Sequence, residues 1–353
     1  MFTIQKLPPN QNFDTTNILK QLAKTHKALA ELKGFSDVIP NKNILVNAAM
    51  INEAKNSSEI ENIITTHDEL YRAMSGAKET GPSKEVINYR TALWRGYEDV
   101  KANGFLSVNM IVGIQSIIED SNAGIRKVPG TVLRNDKTKE VVFTPPEDYQ
   151  EIIELLRNLE LYINDSNDID ELLKLAVIHF QFETIHPFYD GNGRTGRVIN
   201  VLYLILKGLL DSPILYLSKY INRNKSEYYQ YLQGIRDDDD WESFILYMLK
   251  AIEETSINTL TVLKNMVQLI EEIKENIKSD LPKIYSRELI DVLFHEFYTK
   301  ISYVEKGLGV TRKTASSYLS ALEEKGFLTS EMVGREKIFL NYQLFELIKR
   351  ADF

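Results

Sequence analysis

The stretch His186-Pro187-Phe188-Tyr189-Asp190-Gly191-Asn192-Gly193-Arg194-Thr195-Gly196-Arg197 decides how this chain is read. It sits between two apolar segments with helical periodicity. Gly191, Gly193 and Gly196 let the backbone turn tightly and approach a ligand closely. The helix that follows presents unpaired N–H groups and the positive end of its dipole at that turn, which makes an anion site. Arg194 and Arg197 lie three apart on one face of the first helical turn, where both can point at phosphate oxygens. Asp190 is a hard oxygen ligand suited to Mg²⁺, which keeps waters and bridges substrate phosphates. His186 titrates near neutrality and is a good base for a hydroxyl. Any one of these residues alone could be a solvated loop residue. Twelve consecutive positions holding a base, a metal ligand, an anion cradle and two arginines read as a phosphoryl or nucleotidyl transfer set.

Outward from this loop, helical periodicity dominates. Helices are expected over Ile18–Lys33, Ile44–Ala54, Lys84–Asn103, 107–119, Asp148–Asn164, Ile169–Thr184 and Thr195–Gly208. Asn56 and Ser57 offer capping side chains for a new helix at Glu59. A long helix is expected from about Met248 towards Lys278. The β-prone runs Val128–Leu133 and Val141–Phe143, separated by the polar segment Arg134–Glu140, read as a hairpin closed off by Pro145-Pro146. The segment 279–282 breaks the long helix. Beyond it come helices at Ser286–Phe297 and Ser302–Lys306, a Gly307/Gly309 turn and a helix from Thr311 to Lys325. Strands at Phe327–Met332 and Arg335–Leu340 then close around Gly334. That order is the winged helix-turn-helix pattern.

The chain has 353 residues, so more than one domain is expected. It contains no cysteine, which excludes disulfides, zinc thiolate sites and thiol nucleophiles and fits a reducing cytoplasm. A formal charge of -8 disfavours non-specific binding of the whole molecule to nucleic acid or anionic membrane. The first thirteen residues, MFTIQKLPPNQNF, do not read as a signal peptide. The most apolar stretch, Val198–Leu210, is interrupted by Asn200 and Lys207 and is too short to span a bilayer. A cytoplasmic protein without membrane attachment is the expectation.

The run at 186–197 resembles the signature of the Fic family, HPFxDGNGRxxR, and matches every fixed position. The resemblance implies a protein adenylyltransferase, in which a target hydroxyl attacks the α-phosphate of ATP and pyrophosphate leaves. It implies that His186 deprotonates that hydroxyl, with Asn192 counted among the catalytic residues. Asp190 would hold Mg²⁺ between the α- and β-phosphates. Gly191, Asn192 and Gly193 would form the anion hole, and Arg194 and Arg197 would bind the β- and γ-phosphates. The hairpin would be the family's flap, with Val142 against the nucleotide and the edge Val141–Phe143 aligning an extended target segment by β-augmentation. Tyr228 and Tyr229 are candidates to wall the adenine pocket, although tyrosines at helical spacing more often serve a core. Relatives similar to a kinase toxin depart from the glycine pattern kept here at Gly191-Asn192-Gly193-Arg194, so adenylyl transfer is favoured over phosphorylation.

Upstream, Ser57-Ser58-Glu59-Ile60-Glu61-Asn62 resembles the family's inhibitory motif, [S/T]xxxE[G/N], in its N-terminal position. The resemblance implies that Glu61 pairs with Arg197 and removes the arginine that should hold the γ-phosphate. Ser57, one turn earlier, would help fix the inhibitory helix, and Asn62 completes the motif. In some relatives the same glutamate assists removal of AMP, and self-modification and a homodimer are compatible with this reading.

The remaining features weigh less. His179, Glu183 and His186 at i, i+4, i+7 could form a metal face, but no HExxH run accompanies them and His179 reads better as a core histidine. From residue 281 onward eleven Lys/Arg stand against ten Asp/Glu. That balance lacks the basic face of a DNA-binding winged helix, although Arg312, Lys313, Arg335 and Lys337 are candidate phosphate contacts. Protein interaction is slightly preferred to DNA. The expected organisation is mainly α: a helical region at 1–100 carrying the inhibitory helix, a Fic-like core with its flap at 101–260, a linker helix at 261–280 and a winged-helix domain at 281–353. The competing reading is a winged-helix transcription regulator whose nucleotide site only senses ATP. The intact His186 argues against it, since a sensor needs the phosphate cradle but no base.

Overall fold

The computed structural model describes residues 3–350 apart from 38–41, 75–80, 135–137, 167, 296–297 and 334–335. These residues are mainly α-helical. The N-terminal region comprises α1 (Thr16–Asp37), α2 (Lys42–Ile60), α3 (His67–Met74), α4 (Pro82–Asn103) and α5 (Val108–Glu119). A small ribbon follows, β1 (Leu133–Arg134) and β2 (Val141–Phe143). The central helices are α6 (Tyr149–Asn164), α7 (Glu171–Ile185), α8 (Asn192–Leu206), α9 (Ser218–Arg223), α10 (Lys225–Asp238) and α11 (Trp241–Asp280). The C-terminal unit runs α12 (Arg287–Leu293), β3 (Tyr298–Lys300), α13 (Ile301–Leu308), α14 (Arg312–Glu324), β4 (Thr329–Val333), β5 (Glu336–Leu340) and α15 (Tyr342–Arg350). Among the described residues no helix is long and apolar enough to cross a membrane.

α7 sits at the centre. Nearly every residue in it is buried, including Lys174, His179 and Gln181, and it packs against α6, α8 and α11. A helix that is apolar on all sides belongs inside a fold. α8 is buried almost as completely and packs on α4 and α5. The two buried helices are joined by residues 186–191, so the tertiary packing of α7 and α8 fixes both ends of the decisive loop.

Local chemistry accounts for most boundaries. Ser107, Asp148, Asp170, Asp240, Ser286 and Thr311 each accept a hydrogen bond from a backbone N–H in the first turn of the helix they precede. Gly104 ends α4 at φ 72° and accounts for its sharp stop.

Several expectations are corrected. α2 does not stop near Ala54 but continues to Ile60, so Asn56 and Ser57 lie inside a helix and cap nothing. Ser57 and Ser58 are fully buried there, and their tertiary surroundings outweigh the capping preference. α11 begins at Trp241 rather than near Met248. α8 starts at Asn192, three residues before the expected Thr195. The expected strand Val128–Leu133 contributes only Leu133 to the ladder, opposite Phe143. Upstream of it the amides of Lys127 and Val128 donate instead to Tyr189 Oη, at 2.9 and 3.3 Å. Gly334, Arg335 and Phe297, named above, lie outside the described residues.

In the C-terminal unit three antiparallel strands have the order β3-β5-β4, with Thr329–Val333 pairing along Glu336–Leu340. β3 was not anticipated. It is three residues long, too short for a periodic signal, and exists because Tyr298, Thr299 and Lys300 pair with Leu340, Phe339 and Ile338. This unit touches the N-terminal region. Asn52 of α2 donates to the Ile348 carbonyl of α15 at 3.5 Å, and Lys349 pairs with Asp68 of α3 at 3.7 Å.

Candidate active site

The decisive loop is held from every side. α7 ends on His186, which adopts a left-handed φ of 47° while its N–H donates to the Phe182 carbonyl. A non-glycine residue in that conformation needs support from its surroundings. Arg126 supplies it. Its Nε donates to the His186 carbonyl at 2.8 Å, and its Nη2 donates to the carbonyls of Ile185 and Pro146. A buried guanidinium thereby satisfies the last carbonyls of α7 at the negative end of the helix. Its backbone N–H also donates to Pro187 O at 2.9 Å, and Ile125 bridges to Phe188. Phe188 points into the core and is fully buried.

Asn192 closes the loop from inside. Its Oδ1 accepts from the Phe188 N–H and its Nδ2 donates to the Phe188 carbonyl, each at 2.9 Å. Both functional groups of the side chain are therefore committed to the loop. Its catalytic assignment from sequence is accordingly relocated: the side chain shapes the backbone, and only its N–H can serve a ligand. Gly191, at φ 76°, sits just before the first turn of α8. An added Cβ there would come within 2.5 Å of Glu119 Oε1. At Gly193 a Cβ would collide with Glu61 Oε1, which shows how closely that carboxylate lies over the start of α8.

Both arginines are almost completely buried and both are engaged by acids. Arg194 donates to Glu119 Oε1 at 2.7 Å and to Glu85 Oε2 at 3.2 Å. Arg197 donates from Nε to Ser57 Oγ at 2.7 Å, and from Nη2 to the Ser57 carbonyl at 2.9 Å and Glu61 Oε1 at 2.8 Å. Ser57 therefore binds the arginine directly rather than merely steadying a helix. Asn62 follows α2 in the left-handed region, at φ 63°, a conformation asparagine tolerates well. Lys225 of α10 donates to the Ile60 carbonyl at 2.6 Å and anchors the end of α2.

The electrostatics follow from burial and these pairs. Burial pushes against the charge of Glu61, but Arg197, Arg194 and Lys225 together hold its carboxyl below the usual range. Arg197 is desolvated as well, yet Glu61 and its other neighbours raise it further above the ordinary guanidinium value. Each partner thus stabilises the other's charge. Burial, reinforced by Arg126, pushes His186 down to about 4, so its imidazole is neutral near pH 7 and able to accept a proton. Glu183 is pushed up to about 7 by burial, with Arg197 opposing and Glu61 assisting. It packs against Gly196, where a Cβ would meet Glu183 Oε1 at 2.5 Å.

Asp190 is exposed beside this cradle, and its Oδ1 accepts from the Gly191 N–H at 2.7 Å. No cluster of three or more metal-ligating residues exists among the described residues. One exposed carboxylate beside an anion cradle still fits Mg²⁺, which takes one or two protein carboxylates and fills its shell with water and phosphate oxygens. A dedicated zinc site at His179, Glu183 and His186 does not form. His179 is buried between Tyr228 Oη at 2.8 Å and Asn200 Nδ2 at 3.0 Å, and burial pushes it down to about 3.

The remaining sequence candidates separate. Tyr228 is buried against His179, a core role, while Tyr229 is about half exposed with Lys225 over its ring. Val141 and Val142 are exposed on the ribbon. Arg126, Glu85, Glu119 and Lys225 escaped sequence reading, and Glu183 was weighed only as part of a metal face. None lies in a motif, and only tertiary contact shows their part. The one signal was Arg126, a charge opening an otherwise β-prone run.

Comparison with known proteins agrees with this geometry. Three family profiles match in succession: Fic/DOC family N-terminal over residues 19–98, Fic/DOC family over 105–204, and protein adenylyltransferase SoFic-like, C-terminal domain, over 269–344. A probable protein adenylyltransferase of Aquifex aeolicus is 38% identical over 173 residues, covering 47% of this chain and 51% of that protein. The protein adenylyltransferase fic-1 of Caenorhabditis elegans is 29% identical over 113 residues, 31% of this chain and 21% of its own length. The chain thus spans half or less of these curated relatives. Among solved structures, a Fic family protein from Desulfovibrio desulfuricans superposes with a TM-score of 0.60 at 18% identity, covering 94% of this chain and 98% of the other. Fic-1 from Caenorhabditis elegans gives 0.56 at 20% identity, covering 71% and 75%. At such identities the superpositions speak for the fold alone. With its signature loop, its helical core and three successive profile matches, the chain belongs to the Fic/DOC family.

Proposed function

We propose that this chain transfers AMP from ATP to a hydroxyl of a protein, and that Glu61 holds the resting enzyme in check. The observation that carries both halves is the anion cradle at the start of α8. A neutral buried base and two buried arginines converge there, and one arginine is occupied by a carboxylate of the same chain. A carboxylate on a phosphate-binding arginine is the natural competitor of a phosphate.

His186 takes the proton from the target hydroxyl as its oxygen attacks the α-phosphorus. The bond between the α-phosphorus and the bridging oxygen breaks, and pyrophosphate leaves with that oxygen. The N–H groups of Gly191, Asn192 and Gly193 and the dipole of α8 stabilise charge on the phosphates. Arg194 steadies the β-phosphate, and Arg197 serves the γ-phosphate once Glu61 withdraws. Asp190 would hold Mg²⁺, which supplies further charge neutralisation when bound. The exposed edge at Val141 and Val142 would align an extended target segment by strand addition. The name of the Aquifex aeolicus relative, a probable protein adenylyltransferase, supports the same reaction.

The C-terminal unit has the helix, strand and wing order of a winged helix. We read it as a protein-interaction module. Lys337, a candidate phosphate contact, is engaged by Glu323 at 2.7 Å and lies over the Phe339 ring, which leaves little for DNA. A salt-dependent gel shift by the full chain would overturn that reading.

The decisive experiment is mass spectrometry of Glu61→Gly incubated with Mg²⁺ and ATP. Self-modification by AMP should rise about tenfold to a hundredfold over the unaltered chain, the worth of one charged hydrogen-bonded pair. A gain of phosphate, or no gain, would reject AMP transfer. An equal gain in both proteins would reject the brake.

A further inference from the structure

The flap ribbon meets the body of the molecule at a half-buried cation that neither the signature loop nor the brake uses. Arg236 lies in the last turn of α10. Its guanidinium carbon is 4.2 Å from the centroid of the Phe143 ring on β2 and 5.8 Å from that of Phe180 on α7. Its Nη2 donates to Thr184 Oγ1 at 3.2 Å, two residues before His186, and its Nη1 to Gln233 Oε1 at 3.3 Å. Its Nε is buried and makes no hydrogen bond among the described residues.

A half-buried charge whose buried Nε finds no acceptor among the described residues is a costly way to fill space. An aliphatic side chain would pack there without that penalty. What an aliphatic chain lacks is a flat cationic face. Phe143 is the half-buried residue of β2, while Val141 and Val142 are exposed. Two strands of two and three residues cannot hold their own position, so the ribbon sits where its Phe143 ring is seated. Lysine would keep the charge but lose the plane.

We propose that Arg236 is a positioning residue for the flap: stacked under Phe143 and tied to Thr184 of α7, it sets the height of the Val141–Val142 edge relative to His186. This rests on the transfer reading, because flap height matters only if a target segment is presented to that base. The test uses the full chain in two formats. In the nucleotide-free protein, hydrogen exchange at the amides of 141–143 should accelerate in Arg236→Met and Phe143→Leu. In Arg236→Lys the increase should be smaller, with exchange in α7 unchanged throughout. In the Glu61→Gly background, label transfer from α-labelled ATP should fall about tenfold to a hundredfold in Arg236→Met, the usual cost of misplacement by an ångström or so. ATP affinity by direct titration should hold. The double variant Arg236→Met with Phe143→Leu should be no slower than the worse single, since both remove one contact. Unchanged exchange at 141–143, or fully additive losses in the double variant, overturns the proposal. If Glu61→Gly transfers nothing, the transfer reading fails, and the exchange data alone decide the role of Arg236. Should Arg236→Met not fold, Arg236→Lys and Phe143→Leu carry the same comparison.

Discussion

The signature loop and the β1–β2 ribbon are built in opposite ways. The loop from His186 to Gly191 is tied by Arg126 from one side, by Asn192 from within and by two fully buried helices at its ends. Its constraints are redundant, as suits a site whose donors must be in place before charge develops. The ribbon has two and three residues in its strands, exposes Val141 and Val142, and sets the ring of the half-buried Phe143 against the Arg236 guanidinium. On the proposed function, preorganisation is concentrated where bonds would change, and compliance where a target segment would be received. α2 stands between these extremes. It is anchored at its end by Lys225 and Arg197, yet the Glu61 side chain remains about a third exposed.

The contrast can be broken, and the largest effect should come at the base. His186→Ala in the Glu61→Gly background should cut AMP transfer by about a hundredfold to ten-thousandfold with folding intact. A loss of less than tenfold would show that the loop's rigidity serves some other group. Because His186 is already deprotonated well above about 4, kcat/KM should show no step near pH 6.5 from this residue. A clear step there would mean the imidazole is less buried in solution than in the structure.

Next comes the clamp. Asn192→Ala removes both hydrogen bonds to Phe188 and leaves its buried backbone groups unpaired, which should cost about 1–3 kcal/mol in denaturant unfolding. Transfer should fall alongside it. If stability falls and transfer does not, the loop tolerates more motion than its bonding suggests.

A smaller, pH-dependent effect belongs to Glu183. Its folded carboxyl is raised to about 7, so the folded state binds a proton that the unfolded chain has already released. Stability is therefore lost as pH rises from the ordinary carboxyl range through about 7. Glu183→Gln should raise the melting temperature at pH 8 more than at pH 5, and the reverse ordering would reject a raised pKa. The smallest effect is expected on the flap edge. Val142→Ala should change transfer by less than about threefold, since strand addition works chiefly through main-chain bonds. A loss as large as that of Asn192→Ala would show the ribbon to be as specifically built as the loop.

Much of this was legible in the sequence where local rules suffice. The helical class, the cap at Thr311, the end of α11 near Leu281 and the β4–β5 hairpin all follow from periodicity and turn chemistry. So did the proximity of His186, Asp190 and the two arginines, because they fall within twelve consecutive residues. Misreadings occurred where tertiary contacts outweighed local preference. Ser57 looked like a cap because serine favours that position, but in the last turn of α2 its hydroxyl accepts from Arg197 across 140 residues of sequence. For Tyr228 both a pocket wall and a core role were open, and its place against His179 is the core role. β3 was invisible because it depends wholly on β5.

By itself the sequence determined the reactive inventory: a base, an acidic metal ligand, glycines that admit a phosphate and two arginines on one helical face. Those properties are local, set by side-chain chemistry and by the 3.6-residue period of a helix. Only the tertiary structure decided which of these groups are already engaged. Arg194 belongs to Glu85 and Glu119, Arg197 to Ser57 and Glu61, and the His186 backbone to Arg126. Each of those partners lies between 60 and 140 residues away in sequence. Hydrogen bonds and charge pairing act over a few ångströms of space, and the packing of α2, α4, α5 and α8 brings those groups within reach.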